Sequence, residues 1–312
     1  MYFGLSEDQV FFQDNVRKFL EDQAPLDAIR KIAEGNDSSS KDELYQGLIN
    51  LGINNLLIPE DNGGLGLDLL FAVAISQSLG AGIATLPFIG PYVMAPIAIK
   101  HAANEMQKNT LFEGMVNNSI NFSIGFSEYF GSRDSSGLTF SQNKVSGKTL
   151  FVIDGDYASH VMLCNKDGQI GVVSLDSVGV ETINLTTVDK TRMYQEMNFD
   201  NAPIEILENS LTSSNAIELS IDAGRIVAAA DSIGASQYMI DKAIEYSKER
   251  KQFNRVIGSF QAVKHMCAEM AADLEPCYSL VWHAAHSFDN HEADSRLMAC
   301  HAKSHVSEIS KI

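Results

Sequence analysis

Residues 245–273 read EYSKERKQFNRVIGSFQAVKHMCAEMAAD, and the rest of the chain is organised around them. Upstream, Ile226, Ile233, Ile240 and Ile244 recur at helical spacing. The run Lys248-Glu249-Arg250-Lys251 closes that helix, its cations lying near the negative end of the macrodipole. Asn254 and Gly258 are the breakers. Downstream, Val263, Met266, Met270 and Leu274 form a second apolar stripe. The spacing therefore predicts the end of one helix, a short turn with Arg250, Phe253 and Gln261 around it, and the start of a second helix. A guanidinium can pair with a pyrophosphate at two points, which suits a dinucleotide ligand. Taken alone, basic residues at a helix C-terminus read first as caps on a solvated face.

The chain has 312 residues, enough for two or three packed subdomains. Its 45% hydrophobic and 20% charged content is that of a soluble globular protein. The most apolar run, Leu86 to Ile99, is broken by Pro87, Gly90, Pro91 and Pro96, so no membrane span is expected. A net charge of −17 argues against nucleic acid as a partner and for solubility. Cys164, Cys267, Cys277 and Cys300 are widely spaced and read as reduced thiols of an intracellular protein. With no targeting character at the N-terminus, a cytoplasmic location is expected.

Read in order, Ser6 and Gln9 suggest a capping box for a first helix whose face carries Phe12, Val16, Phe19 and Leu20. Glu34 to Asp42 reads as a loop, Glu43 to Leu51 as a helix, and Leu51 to Asp68 as a glycine-rich turn without the Lys-Ser/Thr of a phosphate cradle. Helices are expected at 69–79 and 97–112. From Ile120 to Glu208 the pattern alternates between Gly and Asp turns, as in NFSIGFS, KTLFVID, HVMLC and IGVVSL, which predicts an antiparallel barrel or sandwich. Helical patterning returns from Thr212. The expected fold class is α+β, with a helical domain over 1–119, a β domain over 120–208 and a helical domain over 209–312. His283/His286 and His301/His305 have helical spacing without further ligands, so no metal site is expected.

The segments RKQF and IGSFQAVKHMCAEMAAD resemble the helix–turn–helix hallmark of the acyl-CoA dehydrogenase family, and the order helix, β, helix matches it. PEDNGGLG, residues 59–66, resembles a turn of the family's first domain. GFSEYFGSRDS, residues 125–135, resembles the family's Thr-Glu-Pro-x-x-Gly-Ser-Asp loop. It lacks the proline and is one residue shorter. In GKTLFVIDGDYAS, residues 147–159, Phe151, Val152 and Ile153 fall where the family has an aromatic, an aliphatic and a Thr. SIDAGRIVAAADSIGASQ, residues 220–237, resembles the helix that lines the acyl pocket.

The resemblance implies a flavoprotein that uses FAD to introduce an α,β double bond into an acyl-CoA thioester in lipid catabolism. Electron-transfer flavoprotein would be the acceptor, and a homo- or hetero-oligomer the working form. It places Phe151, Val152, Ile153 and Ser127 against the flavin, and Arg250, Gln252, Phe253 and Gln261 on the cofactor of a neighbouring subunit. Ser132, Asp222 and Arg225 would meet the substrate. Ile153 cannot donate the hydrogen bond that a Thr would give flavin N5. Read without the resemblance, Asp222 and Arg225 are surface charges on an amphipathic helix, and Phe151 is a strand core residue.

Some members carry the catalytic Glu immediately before the Arg of the pocket helix, and here that position is Gly224. The more usual Glu, and a Gln-x-x-Gly-Gly loop for the adenine, would follow Ile312. The chain stops at VSEISKI inside a helical pattern, with Val306 and Ile309 expected as uncovered apolar surface. A C-terminally truncated dehydrogenase, inactive by itself and with no nameable base, is one expectation. A non-catalytic partner subunit of a heteromeric enzyme is the other.

Overall fold

The computed structural model describes residues 4–131, 136–212 and 215–311. Six helices precede the sheet: α1 (Glu7–Gln23), α2 (Leu26–Ala33), α3 (Ser38–Asn50), α4 (Leu69–Ala81), α5 (Ala95–Ala102) and α6 (Glu105–Val116). The sheet comprises β1 (Phe122–Gly125), β2 (Gly137–Ser141), β3 (Lys144–Ile153), β4 (His160–Cys164), β5 (Ile170–Ser174), β6 (Val180–Asn184), β7 (Tyr194–Pro203) and β8 (Glu205–Ile206). Then come α7 (Ala216–Glu249), the short strands β9 (Lys251–Gln252) and β10 (Arg255–Val256), α8 (Gln261–Asp289) and α9 (Ser295–Ile309). The helix–sheet–helix order expected from the sequence is the order found.

Local chemistry explains the boundaries. Ser6 Oγ accepts from Gln9 N–H at 3.2 Å while Gln9 Oε1 accepts from Ser6 N–H at 2.8 Å, the reciprocal box that starts α1. The polar run expected as a loop instead contains the first turn of α3, because Asp37 caps it by accepting from Ser40 N–H and Oγ. The short helix α2 was not legible; its buried Ile29 and Ile32 are too few to declare a period. The single helix expected over 97–112 is two, since Asn104 and Gln107 form a second capping box that starts α6. Pro91 and Pro96 do not break the preceding run. They sit in the first turns of a π-helical turn (Gly90–Met94) and of α5, where a missing N–H costs nothing.

Contacts divide the chain into two compact units: residues 1–26, 69–84 and 225–312, and residues 27–68 and 85–224. In the first unit α1 lies on α4, and α8 lies on α4 and α9. A Cβ on Gly80 or Gly234 would come within about 2 Å of the carbonyl of Asp231 or Gln77, so α4 and α7 cross at backbone contact. Val306 is fully buried here, contrary to its expected exposure, because α9 packs along α8. The apolar stripe of α8 is only partly buried: Leu274 is in the core and Met266 is 63% exposed, since α8 is covered through its C-terminal half.

In the second unit the strand order is β6-β7-β3-β1-β4-β5-β8, with β2 on β3. The expectation of a purely antiparallel β domain is corrected by β1 and β4, which run parallel from Phe122↔His160 to Gly125↔Leu163. Parallel neighbours need a long crossover, and the β2–β3 hairpin between them provides it. Two apolar clusters fill this unit. One holds Val145, Val152, Val161, Leu163 and Met197, and the other Phe112, Phe122, Ile124 and Met162 with the start of α7.

Candidate functional site

In β3, Thr149 faces Met197 and Val152 faces Gln195 across β7, so β3 carries one residue more than its partner. This β-bulge falls at Leu150-Phe151, and Phe151 has φ +55°. A bulky side chain in the left-handed region is strained, and bulges of this kind re-aim a side chain out of the sheet. The result is an aromatic ring 50% exposed to solvent between two core residues. Val152 is fully buried and leaves only its backbone to a ligand, whereas Ile153 is half-buried against the second apolar cluster.

Ser127 opens a 3-10 turn after β1, and its hydroxyl donates to the Leu150 carbonyl at 2.6 Å. That bond ties the turn to the bulge and leaves the oxygen's lone pairs as acceptors. Next to it is a cavity of about 270 Å³ whose lining includes Ser127, Glu128, Phe130, Ser136 and Phe151. Glu128 is 2% exposed and was not singled out from the sequence; only its place after Ser127 in GFSEYFG could have drawn notice. Ser132 lies outside the described residues.

The turn after the bulge is held from several sides. Asp154 (φ +58°) and Tyr157 (φ +59°) repeat the left-handed conformation. Asp154 Oδ2 accepts from Gly90 N–H at 2.7 Å, at the start of the π-helical turn. Burial raises the Asp154 carboxyl above the ordinary range, while Arg192 and the Gly90 N–H pull it back. Tyr157 stacks on Tyr45 of α3, rings 4.1 Å apart and nearly parallel, and its hydroxyl bonds Asp42. Tyr45 and Tyr92 share a hydroxyl–hydroxyl bond of 2.8 Å, and Lys41 pairs with Asp156 at 2.9 Å. Burial raises both buried phenols, Tyr45 and Tyr92. Nothing in the local sequence pattern marks this cluster, because its members are far apart in the chain.

At the start of α7, Asp222 is buried rather than a surface charge, and Arg225 is half-buried. Gly224 is packed against the π-helical turn: a Cβ there would meet Met94 Sδ at 2.8 Å. Ser220 Oγ donates to the Met94 carbonyl at 2.8 Å and fixes that contact.

In the first unit, β9 and β10 pair Gln252 with Arg255, leaving Phe253 and Asn254 as the two central residues of a tight hairpin. Both have positive φ, +51° and +61°, as a type I′ turn requires. Phe253 is 88% exposed and meets Phe260 edge to face; the Arg255 guanidinium stands 3.9 Å above the Phe260 ring. Arg250 is exposed at the end of α7 and meets no acidic partner among the described residues. Gln252 and Gln261 are exposed, the first bonded to the Lys251 carbonyl and the second near His265. The sequence-expected residues thus fall into two groups, one in each unit.

The flavin implied by the resemblance can be tested against these residues. An exposed ring at a bulge beside a hydroxyl acceptor fits an isoalloxazine, and an uncompensated guanidinium beside an exposed aromatic fits a pyrophosphate and adenine. The larger groove of about 1120 Å³ in the first unit, bounded by residues such as Gln13, Gln77 and Trp282, includes none of the expected site residues. Among the described residues no three His, Cys, Asp or Glu side chains stand together as metal ligands, and no helix is long and apolar enough to cross a membrane.

Residues 6–119 match the N-terminal domain of the acyl-CoA dehydrogenases, and residues 214–311 match the C-terminal domain. The caffeyl-CoA reductase–Etf complex subunit CarC of Acetobacterium woodii is 26% identical, covering 99% of this chain and 86% of that protein. Among solved structures, butyryl-CoA dehydrogenase from Megasphaera elsdenii superposes with a TM-score of 0.84 at 20% identity, covering 99% of this chain and 86% of the other. The ChsE4-ChsE5 complex from Mycobacterium tuberculosis gives 0.85 at 19% identity, covering 99% and 87%. At these identities the two structures establish the fold.

Proposed function

Because the chain belongs to the acyl-CoA dehydrogenase family, whose cofactor is FAD, we propose that it desaturates an acyl-CoA thioester between the α and β carbons. Bound FAD would supply the hydride-accepting chemistry that this reaction needs. Phe151 would hold the ring system by stacking, and Ser127 would offer an acceptor oxygen beside it. Arg250, with Phe253 and Gln261 around it, would neutralise the pyrophosphate of a neighbouring subunit's FAD, and Asp222, Arg225 and Ser132 would serve the substrate. The α proton requires a carboxylate within hydrogen-bond reach. Gly224 does not supply one, and its packing against Met94 leaves no room for one without rearrangement.

The observation that carries the reading is the strained, half-exposed Phe151 at the β3 bulge. The Acetobacterium woodii relative, a subunit of a reductase–Etf complex, supports electron-transfer flavoprotein as the electron partner. The exposed Tyr246, Phe253 and Met266 around the α7–α8 turn support an oligomer, and the likeness to the ChsE4-ChsE5 complex supports a mixed one. A second reading, a partner subunit that lends Arg250 and Gln261 to a neighbour's flavin, is favoured by Gly224 and by Ile153 at the Thr position. The test is to load the purified protein with FAD and follow bleaching of the flavin without oxygen across a series of acyl-CoA substrates. Bleaching by one of them supports the dehydrogenase. Tight FAD binding without bleaching by any supports the partner subunit, and no FAD binding overturns both.

A further inference from the structure

Phe151, Asp154 and Tyr157 all hold a left-handed backbone, with φ of +55°, +58° and +59°. Such strain persists only where the surroundings over-determine the chain. Side-chain burial in β3 does not do this by itself. Phe151 and Val152 are both apolar, and a slip of one residue would pair Phe151 with Gln195, on the face of Met197. The ring would then take the place of Val152 in the core, and the bulge would vanish. The same slip would carry the residues that follow about 3.3 Å along the strand direction. Those residues are the ones α3 grips. The Tyr157 ring lies on that of Tyr45, centroids 4.1 Å and planes 4° apart, and its hydroxyl donates to Asp42. Lys41 pairs with Asp156 at 2.9 Å and stands 5.9 Å from the centre of the Tyr157 ring. Tyr45 is 6% exposed and shares a hydroxyl bond with Tyr92, so the platform under Tyr157 is itself fixed.

We propose that Tyr157 is the positioning residue for the Phe151 ring: docked on Tyr45 and Asp42, it holds the end of β3 in the bulged register, in which that ring points out of the sheet. The stack supplies apolar area and a preferred ring geometry, and the bond to a carboxylate fixes the ring's direction. Asp154 fastens the middle of the same turn to Gly90 N–H, and Tyr157 fastens its end. All of these residues belong to one compact unit, so the device is complete within it. The inference rests on the function proposed above only in what the ring is for, namely holding a flavin. The register itself is a property of the protein without cofactor.

To test this, 4-trifluoromethylphenylalanine is placed at position 151 of the full chain, and its fluorine resonance is recorded in light and heavy water, where the solvent shift reports exposure. With Tyr157 present, one exposed resonance is expected. Tyr157→Leu removes the stack and the bond, and should add a solvent-shielded resonance carrying about half of the intensity or more. Tyr157→Phe keeps the stack and should show the shielded resonance more weakly. In unlabelled Tyr157→Leu the FAD dissociation constant should rise in inverse proportion to the exposed fraction, about two-fold or more. A thermal midpoint that falls in Tyr157→Leu while the resonance stays single and exposed would assign Tyr157 a structural role only and overturn the inference. If the leucine variant does not fold, a single exposed resonance in Tyr157→Phe overturns it in the same way. A shielded resonance without loss of FAD affinity would sustain the inference and remove Phe151 from the cofactor site, so the two readings fail separately.

Discussion

Phe253 occupies the first central position of a two-residue hairpin turn, where φ must be positive and Asn, Asp or Gly is the usual choice. Holding a β-branched or aromatic residue there costs roughly 1–2 kcal/mol, and burial returns little of it because the ring is exposed. Strain retained at an exposed aromatic points to a ligand. Phe253→Asn is expected to leave the thermal midpoint unchanged or slightly raised, since Asn adopts this conformation more readily, while FAD retention falls. Arg250→Ala should weaken FAD binding by the equivalent of about 1.5–3 kcal/mol, the worth of a hydrogen bond to a charged group. Equilibrium dialysis against FAD beside a melting curve separates the two effects. Unchanged retention in both variants would remove this turn from the cofactor site.

At the scale of elements, the segment from Phe151 to Tyr157 joins the β3 bulge, the π-helical turn and α3. Asp154 is its buried fastening, bonded to Gly90 N–H. Its carboxyl is raised by burial, so the folded protein holds that proton more tightly than the unfolded chain does. Such a group contributes stability that is present below the unfolded value of 3.8 and is lost as pH rises through the raised folded value. Asp154→Asn keeps an acceptor oxygen for Gly90 and removes the titration. Its melting temperature is therefore expected to fall less than that of the wild type as pH rises from about 4 to 7. Parallel melting curves for the two proteins would exclude Asp154 as the titrating group.

For the whole molecule, the residues proposed for the cofactor are divided between the units, Phe151 and Ser127 in one and Arg250, Phe253 and Gln261 in the other. A ligand that binds only the folded state stabilises it by mass action, about 2.7 kcal/mol at a hundred times its dissociation constant. FAD should therefore raise the thermal midpoint of the wild type in proportion to the logarithm of its concentration, and do so less for Arg250→Ala. A midpoint indifferent to FAD would show that the flavin does not bind the folded chain.

Much of this was present in the sequence. Helical periodicity, the alternation after Ile120 and the turn at Asn254 depend on residues within a few positions of one another, so α1, α4, α7, α8 and the strands β1, β3, β4 and β5 were legible. RKQF and the helix after it were enough to indicate the family. Tertiary structure decided what depends on distant partners. The parallel pairing of β1 with β4 arises from a crossover over residues 126–159 that local patterning does not reveal. Register against β7 creates the bulge that turns Phe151 outward, whereas alternation alone would have left it in a strand core. Burial of Asp222, Val306 and Glu128 is likewise set by elements far away in the chain, because solvent exposure belongs to the packed assembly and not to the residue.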